Sequence, residues 1–233
     1  MEHLPSHVSL VFLITTFFTV GIFLYAVRRT YFNSTPAKVI VFLIPFWMIF
    51  QAVVSIGGFY QNTDAVPPRI FFLGVGPALL LTVFYFLFAR ANFIEALPIK
   101  ILTIIHVIRI PVELTLSWLY EGGMVPRIMT FHGTNFDILS GVTAPIIYYL
   151  AFRGGKINKP LLVVWNIAAL CLVSNVVIAA FLSIPTPIQQ LAFDQPNRAV
   201  LYFPYIWLPT VVVPIVFFCH FASLYKLAAG KTK

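Results

Sequence analysis

The sequence predicts an all-α integral membrane protein, a kinked bundle of seven transmembrane helices with its amino terminus outside and its carboxyl terminus in the cytoplasm. Three observations carry that prediction. The 233-residue chain is 60% hydrophobic and 9% charged, against roughly 45–50% apolar and about 25% charged in soluble domains. Seven apolar runs approach or exceed the length needed to cross ~30 Å of hydrocarbon. Lys and Arg collect in alternate connections between those runs, as cytoplasmic loops require.

The runs lie at 8–27, 39–60, 70–89, 98–120, 138–153, 160–184 and 201–225. The first follows MEHLPSH, which has no Lys or Arg and precedes no small-residue cleavage site, so the run is expected to remain as a span rather than be removed as a signal peptide. The second carries Pro45, Gln51 and Ser55, and the third carries Gly74, Gly76, Pro77 and Thr82. The fourth holds a polar stripe, and the fifth, the shortest, is bracketed by Asp137 and Arg153 and contains Ser140, Thr143 and Pro145. The sixth carries Asn166, Ser174 and Asn175, and the seventh carries Pro209, Pro214 and His220. Prolines inside spans free backbone carbonyls and bend helices, which favours a bundle with an internal cavity over straight packed rods. The longest connections, near 121–137 and 185–200, hold about 16 residues, within the range of ordered loops and too short for a core. The whole chain, 1–233, therefore reads as one transmembrane domain with no soluble domain.

One set of connections holds Arg28, Arg29, Lys38, Arg90, Arg153, Lys156, Lys159, Lys226, Lys231 and Lys233, with Lys100 at a helix end; the opposite set holds Arg69, Arg127 and Arg198. Eleven against three places the amino terminus outside. Most acidic residues fall on that side: Asp64, Glu121, Asp137 and Asp194 in or beside outer loops and Glu2 in the outer tail, with Glu95 inside and Glu113 buried. The sequon Asn33-Ser34-Thr35 lies beside Arg28 and Arg29 on the cytoplasmic side, where it is not glycosylated. The net charge of +8 comes from scattered residues and makes no continuous patch, so it expresses topology and not nucleic-acid binding. Cys171 and Cys219 fall inside spans and read as small apolar residues.

Function is expected on the fourth span. Lys100, Thr103, His106, Arg109, Glu113, Ser117 and Glu121 recur every three or four residues, which puts them on one face of a helix. At 1.5 Å per residue, Arg109 lies about 13 Å and Glu113 about 19 Å from Lys100, close to the bilayer midplane. Charges at that depth face a protein interior or a wet cavity and mark a site. Their i,i+4 spacing lets Arg109 and Glu113 neutralise each other, and Pro111 between them predicts a kink. The competing reading is a polar clasp that holds neighbouring helices together. Gln51 and Asn175 are the expected additional binding residues, because a buried amide is expensive without a partner; the other Ser, Thr and Asn side chains read as interhelical adhesion.

His106 and His220 lie at equal depth, about 9 Å from the inner boundary. Two such histidines can ligate a metal or a haem from both sides, but the pair lacks further Cys or carboxylate ligands, so polar packing, or a proton relay through His106, Arg109 and Glu113, competes with the cofactor reading. A second candidate site is the outer loop EGGMVPRIMTFHGTNFD, where His132 and Asp137, near Arg127 and Asn135, have the composition for acid/base work, the alternative being that Asp137 simply caps the fifth helix. The outer stretch with Asp194, Asn197 and Arg198 reads as a helix-connecting turn or a lid.

Three functions follow as expectations. The first is binding or translocation of a small solute or ion, or a proton, through a polar cavity centred on the fourth helix and lined by His106, Arg109, Glu113 and Ser117. The second is a membrane-embedded enzyme acting on a lipid or isoprenoid, with Glu113, or His132 with Asp137, transferring the proton. The third is an accessory subunit with a membrane-protein partner, or a homo-oligomer. Topology alone is similar to that of receptors and rhodopsins: the last span has no interior Lys for a retinal Schiff base, and no Asp-Arg-Tyr follows the third. The absence of an organellar presequence and of long loops leads to a bacterial cytoplasmic (inner) membrane as the expected home.

Overall fold

Where a segment is apolar throughout, the backbone must satisfy its own N–H and C=O groups, and among the described residues it does so by helix. The computed structural model describes residues 4–30, 35–88 and 91–230, with side chains at all of these except 87, 88, 91 and 92. Glu2, the Asn33-Ser34 part of the sequon, Arg90, Lys231 and Lys233 lie outside the described residues. The elements are α1 (Ser6–Arg28), α2 (Thr35–Ile56), a π-helical turn (Ile70–Val75) that runs into α3 (Gly76–Phe88), and α4 (Ala91–Ala96). Then come α5 (Ile99–Ile104), a 3-10 stretch (Ile105–Ile108) that runs into α6 (Arg109–Glu121), α7 (Ile138–Phe152), α8 (Lys159–Leu182), and a second π-helical turn (Leu208–Val212) that runs into α9 (Val213–Ala228). There is no strand among the described residues.

Among the described residues, four segments are helices long and apolar enough to cross a membrane: α1, α2, α8 and Leu208–Ala228. The other three apolar runs are shorter or interrupted. The third is a shorter apolar helix, α7 has 15 residues, and the fourth changes winding in its middle. The second run ends at Ile56, four residues earlier than its hydropathy suggests, because Gly58 adopts a left-handed φ of 74° and turns the chain.

Leu208–Ala228 is the axle of the bundle. Two-thirds of its apolar window (67%) is buried, against 22% for α2 at the periphery, and α9 packs against α3, α4, α5 and α8. Lys226, expected at the cytoplasmic end of the last span, is wholly buried in its final turn and donates to the Glu95 carbonyl. The outward face of α2 presents Phe42, Phe46, Ile49 and Val53, which a lipid environment accepts without cost because lipid is as apolar as they are.

Two local features position the candidate site. Pro111 has no N–H, so the carbonyl one turn before it cannot be used in α-helical fashion. The backbone responds by tightening to a 3-10 stretch, whose terminal N–H groups bond to the His106 and Val107 carbonyls. With three residues per turn, His106 and Arg109 come nearly into line on one side of the helix. Opposite them, α7 crosses at Gly141: a Cβ there would lie 2.9 Å from Ile110 Cγ1, 3.0 Å from the Ile110 nitrogen and 3.2 Å from Arg109 Cβ. Only a glycine permits that approach, and it brings Asp137, one turn earlier on the same face, within reach of Arg109.

The two π turns lie side by side and are both held by α2. A π turn leaves carbonyls without their usual partners. Gln51 Nε2 donates to the Leu73 carbonyl at 2.9 Å and Trp47 Nε1 donates to the Thr210 carbonyl at 3.0 Å. Tyr60 OH completes the first contact by donating to Gln51 Oε1 at 2.6 Å. Burial pushes the Tyr60 phenol, in the turn after α2, up to about 12.

Candidate functional site

Arg109 is 2% exposed and reaches three helices at once. Its Nη1 donates to Asp137 Oδ1 at 2.6 Å, which is also the ion pair, and to the Ala169 carbonyl at 3.2 Å. Its Nη2 donates to His220 Nε2 at 2.6 Å. A guanidinium cannot accept, so Nε2 of His220 is the acceptor and the ring proton sits on Nδ1, which donates to Asn166 Oδ1 at 2.8 Å. Asn166 Nδ2 passes the chain on to the Leu162 carbonyl at 2.8 Å. Arg109, His220 and Asn166 thus form one directed series across α6, α9 and α8.

The expected mutual neutralisation of Arg109 and Glu113 does not form. Glu113 Oε1 accepts from Asn135 Nδ2 at 2.7 Å, and the guanidinium turns to Asp137. Asn135, fully buried, also donates to the Met129 carbonyl at 2.9 Å and accepts from the Asp137 backbone N–H at 2.9 Å. One amide therefore locks the outer loop and sets the relative positions of Glu113 and Asp137. Asp137 does occupy the N-cap of α7, yet its side chain caps no N–H; the carboxylate serves Arg109 and accepts from Ser140 Oγ at 3.3 Å.

His106 stacks on His220, with ring centroids 4.0 Å apart and 16° between planes, and Trp165 meets it edge-on at 5.4 Å. Neither nitrogen of His106 has a partner among the described residues. The two histidines do meet, as equal depth allowed, but they oppose ring faces rather than lone pairs, and both His220 nitrogens are engaged. A metal or haem iron between them would need His220 Nε2, the atom that Arg109 holds. No cluster of three or more His, Cys, Asp or Glu suited to a metal occurs among the described residues.

Several sequence candidates lie elsewhere. His132 is exposed and packs on Phe131 with centroids 4.3 Å apart, while Asp137 is buried against Arg109, and no hydrogen bond links the two. Asn175 is exposed and donates to the Thr134 carbonyl at 3.0 Å. Gln51 is buried but spent on the π turn and Tyr60. Ser117 is buried without lining the cavity described next. Asn135, Asn166 and Asn197 take the structural places instead; their signal is the amide itself, a group that is costly to bury unpaired.

Against this network lies a cavity of about 90 Å³. Its polar lining residues are Arg109 with its partner Asp137 beside Ala169 of α8, Glu113 one turn on from Arg109, and Asn197 beside Ala180, about three turns further along α8; the rest of its wall is hydrocarbon, including Phe71, Val176, Phe181 and Val212. Three of those four polar residues each present an atom without a partner: Arg109 Nε, Glu113 Oε2 and Asn197 Oδ1. Asn197 is brought there by the loop before α9, its Nδ2 donating to the Ala180 carbonyl at 3.2 Å. Gln195 fastens that loop over the neighbouring one through the Tyr120 and Val125 carbonyls, at 2.9 and 2.7 Å.

No protein-family model, curated protein or solved structure matches this chain. The chemistry of the site therefore rests on its own geometry.

Proposed function

We propose that this protein binds a small solute in the cavity beside the fourth helix, within the bilayer, and passes it or a proton onward. The observation that carries the reading is a pair of buried, unpartnered polar atoms, Arg109 Nε and Glu113 Oε2, on residues one helical turn apart that line one cavity, with a third, Asn197 Oδ1, on a lining residue further along it. Leaving a buried polar atom unsatisfied costs about 1–3 kcal/mol, and such atoms on neighbouring residues of one hollow are what a ligand-binding site looks like without its ligand's polar group.

The same reading includes seven membrane crossings, outside amino terminus, cytoplasmic carboxyl terminus and a bacterial inner-membrane home. It is supported by the seven apolar runs and by the eleven-to-three distribution of Lys and Arg over alternate connections. On this view α7, at 15 residues, covers about 22 Å and draws the bilayer thin beside it.

The test is extraction in mild detergent, with mass-spectrometric identification of the small molecules carried by the wild type and by Val176→Trp, which fills the cavity. The reading expects a stoichiometric molecule in the first and its loss in the second. A bound complement that is identical in the two folded proteins would overturn it.

A further inference from the structure

The polar end of the cavity restricts what can occupy it. Arg109 already has a carboxylate of its own, Asp137, whereas Glu113 has no cation bonded to it among the described residues. The end thus offers two carboxyl groups and one committed guanidinium, which opposes an anionic head such as a carboxylate or phosphate. Arg109 Nε–H needs an acceptor, which an ammonium group lacks. A hydroxyl satisfies both demands: its oxygen accepts from Arg109 Nε and its proton goes to Glu113 Oε2.

The remaining wall is hydrocarbon, and the hollow is smaller than the roughly 150 Å³ cavity that takes up a benzene molecule. It therefore holds the head and first carbons of a ligand, while a longer chain must leave sideways. The rim shows where. Phe181 of α8 is 37% exposed and its ring lies against that of Phe71 in the first π turn, with centroids 4.1 Å apart. Both residues line the cavity, and Leu79 of α3 stands beside them, partly exposed. This aromatic pair closes a seam between the third helix and α8. The backbone on one side of the seam is π-helical, a winding associated with functional sites.

We propose that the ligand is a membrane-dissolved alcohol with an alkyl or isoprenoid chain, bound by its hydroxyl between Arg109 Nε and Glu113 Oε2, which enters from the lipid between Phe71 and Phe181. This assignment rests on the cavity reading given under Proposed function.

The test uses the full-length wild-type chain in phosphatidylcholine liposomes, labelled by a diazirine-bearing octanol and mapped by peptide mass spectrometry. Saturable labelling of the α8 segment 173–181 is expected, reduced at least tenfold by excess 1-octanol and unaffected by equal concentrations of octane, octanoate or octylamine. Displacement by octanoate or octylamine as strong as by octanol would overturn the alcohol assignment while leaving an occupied cavity. Displacement by octane, or labelling that does not saturate, would overturn the site for any headed ligand. Phe181→Trp is expected to slow labelling; an unaltered rate would overturn the lateral route. Because the competition series needs no variant, it stands even if Phe181→Trp accumulates poorly.

Discussion

Arg109 Nη1 and Asp137 Oδ1 meet at 2.6 Å across 28 residues of chain, and that contact ties the kinked fourth helix to the first turn of α7. Both partners are buried. Removing one leaves an uncompensated buried charge, and the expected cost of Arg109→Ala or Asp137→Ala is about 3–5 kcal/mol. Replacing both with similar-sized apolar groups, Arg109→Met with Asp137→Leu, is expected to recover much of that loss. Reversible unfolding in mixed micelles measures the four proteins of the cycle; additive losses in the double variant would refute the pairing as an energetic unit.

Glu113→Gln should keep the structure and lose the function. The glutamine carbonyl oxygen can still accept from Asn135 Nδ2, which Glu113 Oε1 now does at 2.7 Å. The acceptor at Oε2 is replaced by an amide donor, and with it goes the hydrogen bond from the ligand's proton, so affinity or liposome flux is expected to fall at least tenfold. Glu113→Ala, which also strands Asn135, should cost about 1–3 kcal/mol of stability besides. A Glu113→Gln protein that simply fails to accumulate would contradict the separation of the two roles.

Gly141 sets how closely α7 approaches the fourth helix. Its Cβ would stand 2.9 Å from Ile110 Cγ1 and 3.0 Å from the Ile110 backbone nitrogen, too close for the helices to stay in place. Gly141→Ala is expected to destabilise by about 1–3 kcal/mol, as overpacking does, and to weaken solute binding by shifting Asp137 away from Arg109. Unfolding and binding measured on the same preparation check both effects, and a stability equal to wild type would count against the close crossing.

The series from Arg109 through His220 to Asn166 fixes a tautomer. Ring ¹⁵N chemical shifts of His220 at neutral pH should show Nδ1 protonated and Nε2 bare, since Arg109 donates to Nε2 at 2.6 Å and Nδ1 faces Asn166 Oδ1 at 2.8 Å. Asn166→Ala removes the acceptor and should cost about 1–3 kcal/mol. Observation of the opposite tautomer would reverse the direction of the whole series.

At the edge of the bundle, Tyr60 makes a pH prediction. Burial pushes its phenol up to about 12, above the ordinary value of 10.0, so the folded state holds the proton more tightly than the unfolded chain does. The associated stability is intact below pH 10 and is lost as pH rises from there towards 12. Tyr60→Phe should flatten that part of the decline in the unfolding midpoint while lowering stability at neutral pH, because Gln51 Oε1 loses its donor.

Much of this protein is legible without coordinates. Helix follows from composition, and the side-by-side placement of His106 and Arg109 follows from spacing along one helix. Asp137 is visible in the sequence as a residue at a helix end and as an acid/base candidate beside His132, and Asn197 as a polar residue of a connecting turn or lid. Their roles were hidden because their partners, Arg109 and the cavity, come from elements far away in sequence. Asn175 and Asn166 show the same limit: both are amides on α8, yet one faces outward to the Thr134 carbonyl and the other inward to His220, a difference set by the rotation of the helix against its neighbours.

What the sequence determined by itself is local: long apolar runs that become helices because only a helix satisfies its backbone groups within a single segment in hydrocarbon, and a proline that must disturb the fourth of them. Only the tertiary structure decided which charges meet. Glu113, four residues from Arg109 and the obvious partner by spacing, is taken by Asn135, while Asp137 is delivered to Arg109 by a helix crossing that Gly141 permits. The reason is geometric: a guanidinium bonds along the directions its packed neighbours leave open, and those directions are set by how helices cross, which no spacing along one helix can encode.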